Sequence, residues 1–171
     1  MSARLTILGV MLASATLIAI PSVIDFSPAF IWNASGSVPI DLYRVLPEDH
    51  LGVTDLVAVV PPDPIAKFLA ERNYLPCGVP LLKRVLALPG QTVCRIRLAV
   101  LVDGIEMAMA RERDRVGRPL PDWQGCRLIG EREVFLMNWQ SSDSLDGRYF
   151  GPLPAVSIIG RAVPMWTFEK P

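Results

Sequence analysis

The feature that most limits what this chain can become is an uncharged run, LTILGVMLASATLIAIPSVI, from Leu5 to Ile24. As a helix, such a run has about the length of the roughly 30 Å bilayer hydrocarbon, which takes about 20 residues. Arg4 stands just before it and Asp25 just after. The "ASA" at Ala13 to Ala15 resembles the cleavage site of an exported leader. It falls inside the run, however, and the run exceeds the apolar core of such leaders. The sequence therefore predicts a retained single-pass anchor over residues 1–26, lying in a lipid bilayer, with Pro21 tolerated near its end. Arg4 is the only basic residue ahead of the span, which places the N-terminus in the cytoplasm and residues 27–171 on the far side.

Those residues read as one compact, mainly β domain with one short helix. "DLVAVVPP", Asp55 to Pro62, is an apolar run of strand length closed by prolines. Asp63 suits an N-cap and Pro64 a first helical position, and the helix continues to Asn73 with Ile65, Phe68 and Leu69 on one face, toward the sheet. "LLKRVLAL", Leu81 to Leu88, is a strand stopped by Pro89-Gly90. Asp103-Gly104 between apolar runs marks a hairpin. The polar stretch Arg111 to Cys126 reads as an exposed loop, and "EVFLMN" and "VSIIGRAVPMWTF" as further strands.

Composition removes several functions. Basic and acidic residues number 17 each, for a formal charge of zero. Nucleic-acid binding rests on a basic surface, so no nucleic-acid partner is expected. One histidine, His50, and three cysteines without C-x-x-C spacing do not make a metal site, and no cofactor is implied. In an oxidising compartment the cysteines either form a Cys94–Cys126 bridge, leaving Cys77 free, or stay as three small buried thiols.

The segment WNASGSVPIDLYRV, Trp32 to Val45, follows the anchor. Gly36 gives its turn freedom and Pro39 holds Val38 extended, a geometry that can present Ser37 at a strand start. A serine nucleophile needs a base. His50 lies in the polar turn "LPEDHLG" and reads as an exposed loop residue. Of the three lysines, Lys67 is on an ordinary helix and Lys170 is next to the C-terminus. Lys83 stands within an apolar strand, where lost solvation would lower its pKa and let it accept a proton. Strand alternation leaves open that Lys83 points to solvent, with Leu82 and Arg84 opposite. "NWQSSDSLDGRYFGPLP", Asn138 to Pro154, reads alone as a serine-rich loop with an Asp146–Arg148 pair.

In that order, S-x-S-x-P, LLKRV-x-A-x-PG and S-x-D-x-R-Y-F-G together resemble the type I signal (leader) peptidases. They are most similar to the conjugative-transfer signal peptidases of the TraF family. The resemblance implies a signal-peptidase-like β domain in which Ser37 is the nucleophile and Lys83 the general base. Ser35 would aid the oxyanion beside the backbone N–H of Ser37. Ser144 would orient the lysine, with Ser142 as the alternative, and Asp146 and Arg148 would support the site. Val38 and Leu82 would line pockets for small side chains. It further implies a bacterial inner-membrane protein with a periplasmic catalytic domain, acting on membrane-tethered pre-proteins or a pilin precursor beside a conjugative, type IV secretion apparatus. Asp41 departs from the family's usual Gly and puts the turn after the nucleophile in doubt. Two other readings stand: a housekeeping leader peptidase, against which the short chain and "DGRYFGP" argue, and a non-catalytic tethered assembly module. Pairing of Ser37 with Lys83 separates enzyme from module.

Overall fold

The computed structural model describes residues 3–23, 28–48 and 50–166. The boundary expected at residues 26 and 27, and Lys170, lie outside them. The first element is helix α1, Ala3–Val23, and its side chains are exposed from Ala3 to Ala19. Among the described residues no helix is long and apolar enough to cross a membrane.

The rest is built on two antiparallel sheets. The larger comprises β1 (Phe30–Asn33), β2 (Asp41–Leu46), β3 (Leu56–Val59), β4 (Leu81–Ala87), β9 (Glu133–Leu136), β10 (Leu153–Pro154) and β11 (Ile158–Pro164). Its spatial order is β1-β2-β11-β3-β4-β9-β10, so the last long strand returns to the middle. The smaller sheet runs β7-β6-β5-β8, from β5 (Thr92–Ile96), β6 (Ala99–Val102), β7 (Ile105–Met109) and β8 (Gly125–Leu128). The hairpin expected at Asp103-Gly104 joins β6 to β7, and both residues take the left-handed backbone that a two-residue turn requires, φ 50° and 82°.

Among the described residues, buried apolar side chains form three clusters. Val38, Tyr43, Leu56, Ala58, Leu82 and Ala162 make one, against the start of the large sheet. Val57, Val59, Val85, Val134, Leu136 and Leu153 make another. The third joins the two sheets through Val93, Val100, Val102, Ile129, Phe135 and Met137. β4 contributes to all three, and this central position is why its residues are buried in succession.

Several expectations shift in detail. Helix α2 is Asp63–Glu71, with Pro62 rather than Asp63 at its N-cap and no side-chain cap, so Asp63 lies in the first turn. It ends before Asn73, which sits at φ 56° and cannot continue a right-handed helix. α2 reaches the sheet cluster through Ile65, but Phe68 stacks edge-on against Phe150 at 5.8 Å. Phe150 belongs to a short helix, α3 (Gly147–Phe150), inside the segment read from sequence as a loop. α3 lies so close to β9 that a Cβ on Gly147 would sit 2.7 Å from the Phe135 ring and 2.8 Å from the Leu136 carbonyl. The polar stretch 111–126 gives up Gly125 and Cys126 to β8.

Cys94 and Cys126 form a disulfide between directly paired positions of β5 and β8, and Cys77 is a free, exposed thiol. The bridge closes a loop of sequence separation 32. In the chain-entropy account such a loop contributes about 3–4 kcal/mol by restricting the unfolded chain. Replacing both cysteines by alanine is expected to lower unfolding free energy by about that amount, read from urea unfolding extrapolated to water with the slope fitted for each protein, since the unbridged unfolded chain exposes more surface. An unchanged unfolding free energy contradicts the expectation.

Candidate active site

The turn that carries Ser37 is held by one side chain. Asn33, the last residue of β1, is buried, and its amide nitrogen donates to the carbonyls of Ser35 (2.8 Å), Val38 (3.0 Å) and Pro39 (3.0 Å). Its Oδ1 accepts from the backbone N–H and the hydroxyl of Ser35. An asparagine ahead of a Ser-Gly-Ser-Val-Pro turn is the residue type that bonds its own following backbone, a signal present in the sequence. Asn33 faces Asp41 across the β1–β2 ladder, so the departure at Asp41 is accommodated as the first residue of β2. The Asp41 Oδ1 accepts from Leu42 N, and its Oδ2 has no partner among the described residues.

Ser35 and Ser37 hydroxyl oxygens are 3.0 Å apart. Ser35 directs its single proton to Asn33, so the proton between the serines comes from Ser37. The backbone N–H of Ser37 has no acceptor among the described residues.

Lys83 is buried, with 4% of its surface exposed, in the middle of β4. It does not point to solvent, although alternation allowed that. Its amine donates to Ser144 Oγ at 2.7 Å, whereas the Ser142 hydroxyl accepts from Arg111. Burial lowers the Lys83 pKa to about 8; the Asp146 charge opposes that shift and the Arg148 charge adds to it. No hydrogen bond joins Lys83 to Ser37: each is bonded to its own serine neighbour. The two are nonetheless brought to one region. Val38, beside Ser37, packs in the same cluster as Leu82, beside Lys83. A cavity of about 400 Å³ is walled by Ser35, Gly36 and Ser37 on one side and by Ser141, Ser142 and Leu145, which flank Ser144, on another. Val38 and Leu82 themselves lie in the core, and the aliphatic walls of the cavity are Val116, Leu120 and Leu145.

The strand under Lys83 is locked from the side. Asn138 donates through its side chain to the Leu82 carbonyl (3.0 Å) and accepts from Arg84 N (3.0 Å), bracketing Lys83 as a paired strand would. Asn138 N in turn donates to Asp146 Oδ2. Asp146 and Arg148 are a fully buried ion pair at 2.8 Å. Arg148 also donates to the carbonyls of Asn138, Ser141 and Ser144, and so shapes the loop that presents Ser144. Removing one partner of such a pair leaves an uncompensated buried charge, at a cost of about 3–5 kcal/mol. Asn138 was invisible in the sequence because it follows β9 as an ordinary polar strand end. His50 is exposed, as expected.

The polar stretch expected to be a free loop forms a wall of the cavity. Asp114 accepts from the N–H groups of Val116 and Arg118 and from Arg118 Nε. It also takes the Tyr74 hydroxyl.

With serine, buried lysine and their supports in place, the family match decides what the chain is related to. The family described as "Signal peptidase, peptidase S26" matches residues 3–167. The chain belongs to this signal peptidase family. Among its relatives, the "Probable conjugal transfer protein TraF" of Sinorhizobium fredii is 36% identical over 146 residues, 80% of this chain and 76% of that protein. The "Conjugal transfer protein TraF" of Agrobacterium fabrum is 35% identical over 149 residues, 80% and 82% of the two chains. The "Plasmid transfer protein TraF" of Escherichia coli is 32% identical over 146 residues, 79% and 75%. A crystal structure of a signal peptidase I from Enterococcus faecalis covers 66% of this chain and 97% of its own, at 19% identity and a TM-score of 0.39. In this family member, Asn33→Asp would place a carboxylate against three carbonyl oxygens and should displace the Ser37 turn. A misplacement near 1 Å lowers turnover about 100-fold. The effect belongs in kcat with KM little changed, and turnover equal to wild type contradicts it.

Proposed function

We propose that this signal peptidase homologue is a membrane-anchored serine endopeptidase with a Ser37–Lys83 dyad. Its substrates are membrane-tethered exported pre-proteins, a conjugative pilin precursor or another transfer-apparatus protein first among them. The observation that carries the reading is the burial of Lys83, whose amine has its pKa depressed to about 8 and is held by Ser144, and whose neighbour Leu82 packs in one cluster with Val38, the neighbour of Ser37. A neutral amine that donates one proton to Ser144 keeps a lone pair for the nucleophile. Ser37 rotates from Ser35 toward Lys83, gives up its proton and attacks the scissile carbonyl. The backbone N–H of Ser37 receives the developing oxyanion, and Ser35 adds to it by turning its hydroxyl from Asn33. The amine leaving group takes the proton back from Lys83. Water, activated the same way, then hydrolyses the acyl-enzyme.

The proposed anchor is the apolar run from Leu5 to Ile24, read from its sequence; most of it lies in α1, whose side chains are exposed from Ala3 to Ala19, although no described helix by itself has the length and apolarity of a span. The single-pass orientation puts the catalytic domain in the periplasm of a bacterial inner membrane, where the disulfide suits an oxidising environment. Likeness to proteins named for conjugal and plasmid transfer favours a transfer apparatus as the setting. The test is co-expression of the full chain with candidate pilin precursors from the same transfer region. Wild type should shorten one of them and Ser37→Ala should not. Equal processing by both overturns the reading.

A further inference from the structure

The cavity beside Ser37 carries a charge that the chain as a whole does not. Its wall contains four arginines, Arg111, Arg113, Arg115 and Arg118, against two carboxylates, Asp114 and Asp143. The whole chain is neutral. The carboxylates are already engaged. Asp143 pairs with Arg111 at 2.5 Å and with Arg115, and Asp114 pairs with Arg118 at 2.7 Å. Both acids are held below their ordinary range, Asp114 through hydrogen bonds from Tyr74 and Arg118, Asp143 through its bond from Arg115. They are thus fully charged and still outnumbered.

Arg113 is the cation left over. It makes no ion pair among the described residues, and its guanidinium donates only to the Gly117 carbonyl, at 2.7 Å. A guanidinium carries five N–H donors in a planar fork that matches a carboxylate. The loop that presents it is built rather than loose. Asp114 ties residues 114–118 together, Arg72 donates to the Pro119 carbonyl, and Arg118 donates to the Arg72 carbonyl. An arginine on a held loop, in the same cavity as Ser37, loses little freedom on binding.

We infer that this cavity is a subsite for an acidic side chain of the substrate near the scissile bond, with Arg113 as its main contact. The inference rests on the peptidase reading and gives it a substrate class: pre-proteins whose cleavage region carries Glu or Asp beside small residues. Phospholipid headgroups are anionic too, but the cavity opens on the Ser35–Gly36–Ser37 turn, so a substrate chain seated at Ser37 is the occupant the placement favours.

The test uses the full chain in detergent and short peptides built on Ala-Ser-Ala, with Glu, Gln or Lys set in turn at each flanking position. Binding is measured by fluorescence anisotropy on Ser37→Ala, so it does not depend on turnover. At one flanking position Glu should bind about five times tighter than Gln in low salt, the size of one partly exposed ion pair. That ratio should fall toward one in 1 M salt, where screening acts over about 3 Å. Arg113→Gln should bring it to one, and Arg113→Glu should shift the preference to Lys. Equal binding of Glu and Gln peptides at every position overturns the inference, as does a Glu preference that survives Arg113→Gln. A change in binding to phosphatidylglycerol vesicles by Arg113→Gln, with peptide selectivity intact, assigns the cavity to lipid and also overturns it. The peptidase reading fails separately, if wild type cleaves no peptide or if Ser37→Ala cleaves as fast.

Discussion

Lys83→Arg should lower kcat/KM for precursor cleavage by about a thousandfold or more, close to the loss produced by Lys83→Met. The two substitutions remove one property by different routes. Arginine keeps the charge but cannot give up its proton at any accessible pH, so it supplies no lone pair to Ser37. Methionine keeps the length and apolar stem but has no base. If Lys83 acted only as a fixed positive charge near the oxyanion, arginine would retain much of the activity and methionine none. The buried position adds a control: arginine brings a bulkier, permanently charged group into a site with 4% exposure, whereas methionine fits an apolar strand. Circular dichroism should therefore find Lys83→Met fully folded, and its inactivity is then chemical rather than structural. Cleavage retained by Lys83→Met, measured on a precursor that Ser37→Ala leaves intact, removes Lys83 from the mechanism, and cleavage retained by Lys83→Arg alone reduces it to a fixed charge.

Much of this site could be read before any coordinates. The strand around Lys83 was legible because LLKRVLAL is apolar and ends in Pro-Gly. The α2 position followed from Asp63-Pro64, and the hairpin from Asp103-Gly104, since these depend on local backbone preference. What remained open was set by tertiary contact. Periodicity could not decide whether Lys83 faced solvent, because β4 lies inside the sheet between β3 and β9, and its side chains are buried by apolar clusters and by the Ser144 loop, which come from distant parts of the chain. The motif put Ser144 ahead of Ser142 without excluding the latter, and the two differ in the fold because Arg148 and Arg111 claim different parts of that loop. The arginine-rich stretch from Arg111 looked like a solvated loop since nothing local shows that Tyr74 and Asp143, far along the chain, close it over a cavity. The roles of Asn33 and Asn138 are hidden in the sequence for a related reason. Their work is to replace backbone partners, and a single polar residue beside a turn or strand end carries no periodic signal.

The rise of stability with pH should begin where the activity profile has its midpoint. In free enzyme, kcat/KM should rise about tenfold per pH unit in mildly acid solution and level off above about pH 8, the folded-state pKa of Lys83. Stability follows from the same shift by linkage. The folded-state pKa is depressed from 10.5 to about 8, so between those values the unfolded chain binds the proton and the folded chain does not. Unfolding free energy therefore rises with pH across that window. This contribution is fully present above 10.5 and is lost as pH falls toward 8. At 1.36 kcal/mol per unit the total is about 3 kcal/mol. Burial is the largest cause of the shift, so Lys83→Met, which carries no charge to desolvate, should unfold with no such rise. Near neutrality it should be the more stable protein by a similar amount. Urea denaturation of both proteins at several pH values from 7 to 10.5, followed by tryptophan fluorescence, measures the difference directly. Parallel pH curves for wild type and Lys83→Met would mean that Lys83 titrates as an ordinary surface lysine. A general base working near neutral pH could not then be located there. A rise confined to wild type, with its lower edge at the midpoint of the activity profile, ties the cost of burying this lysine to the chemistry it performs.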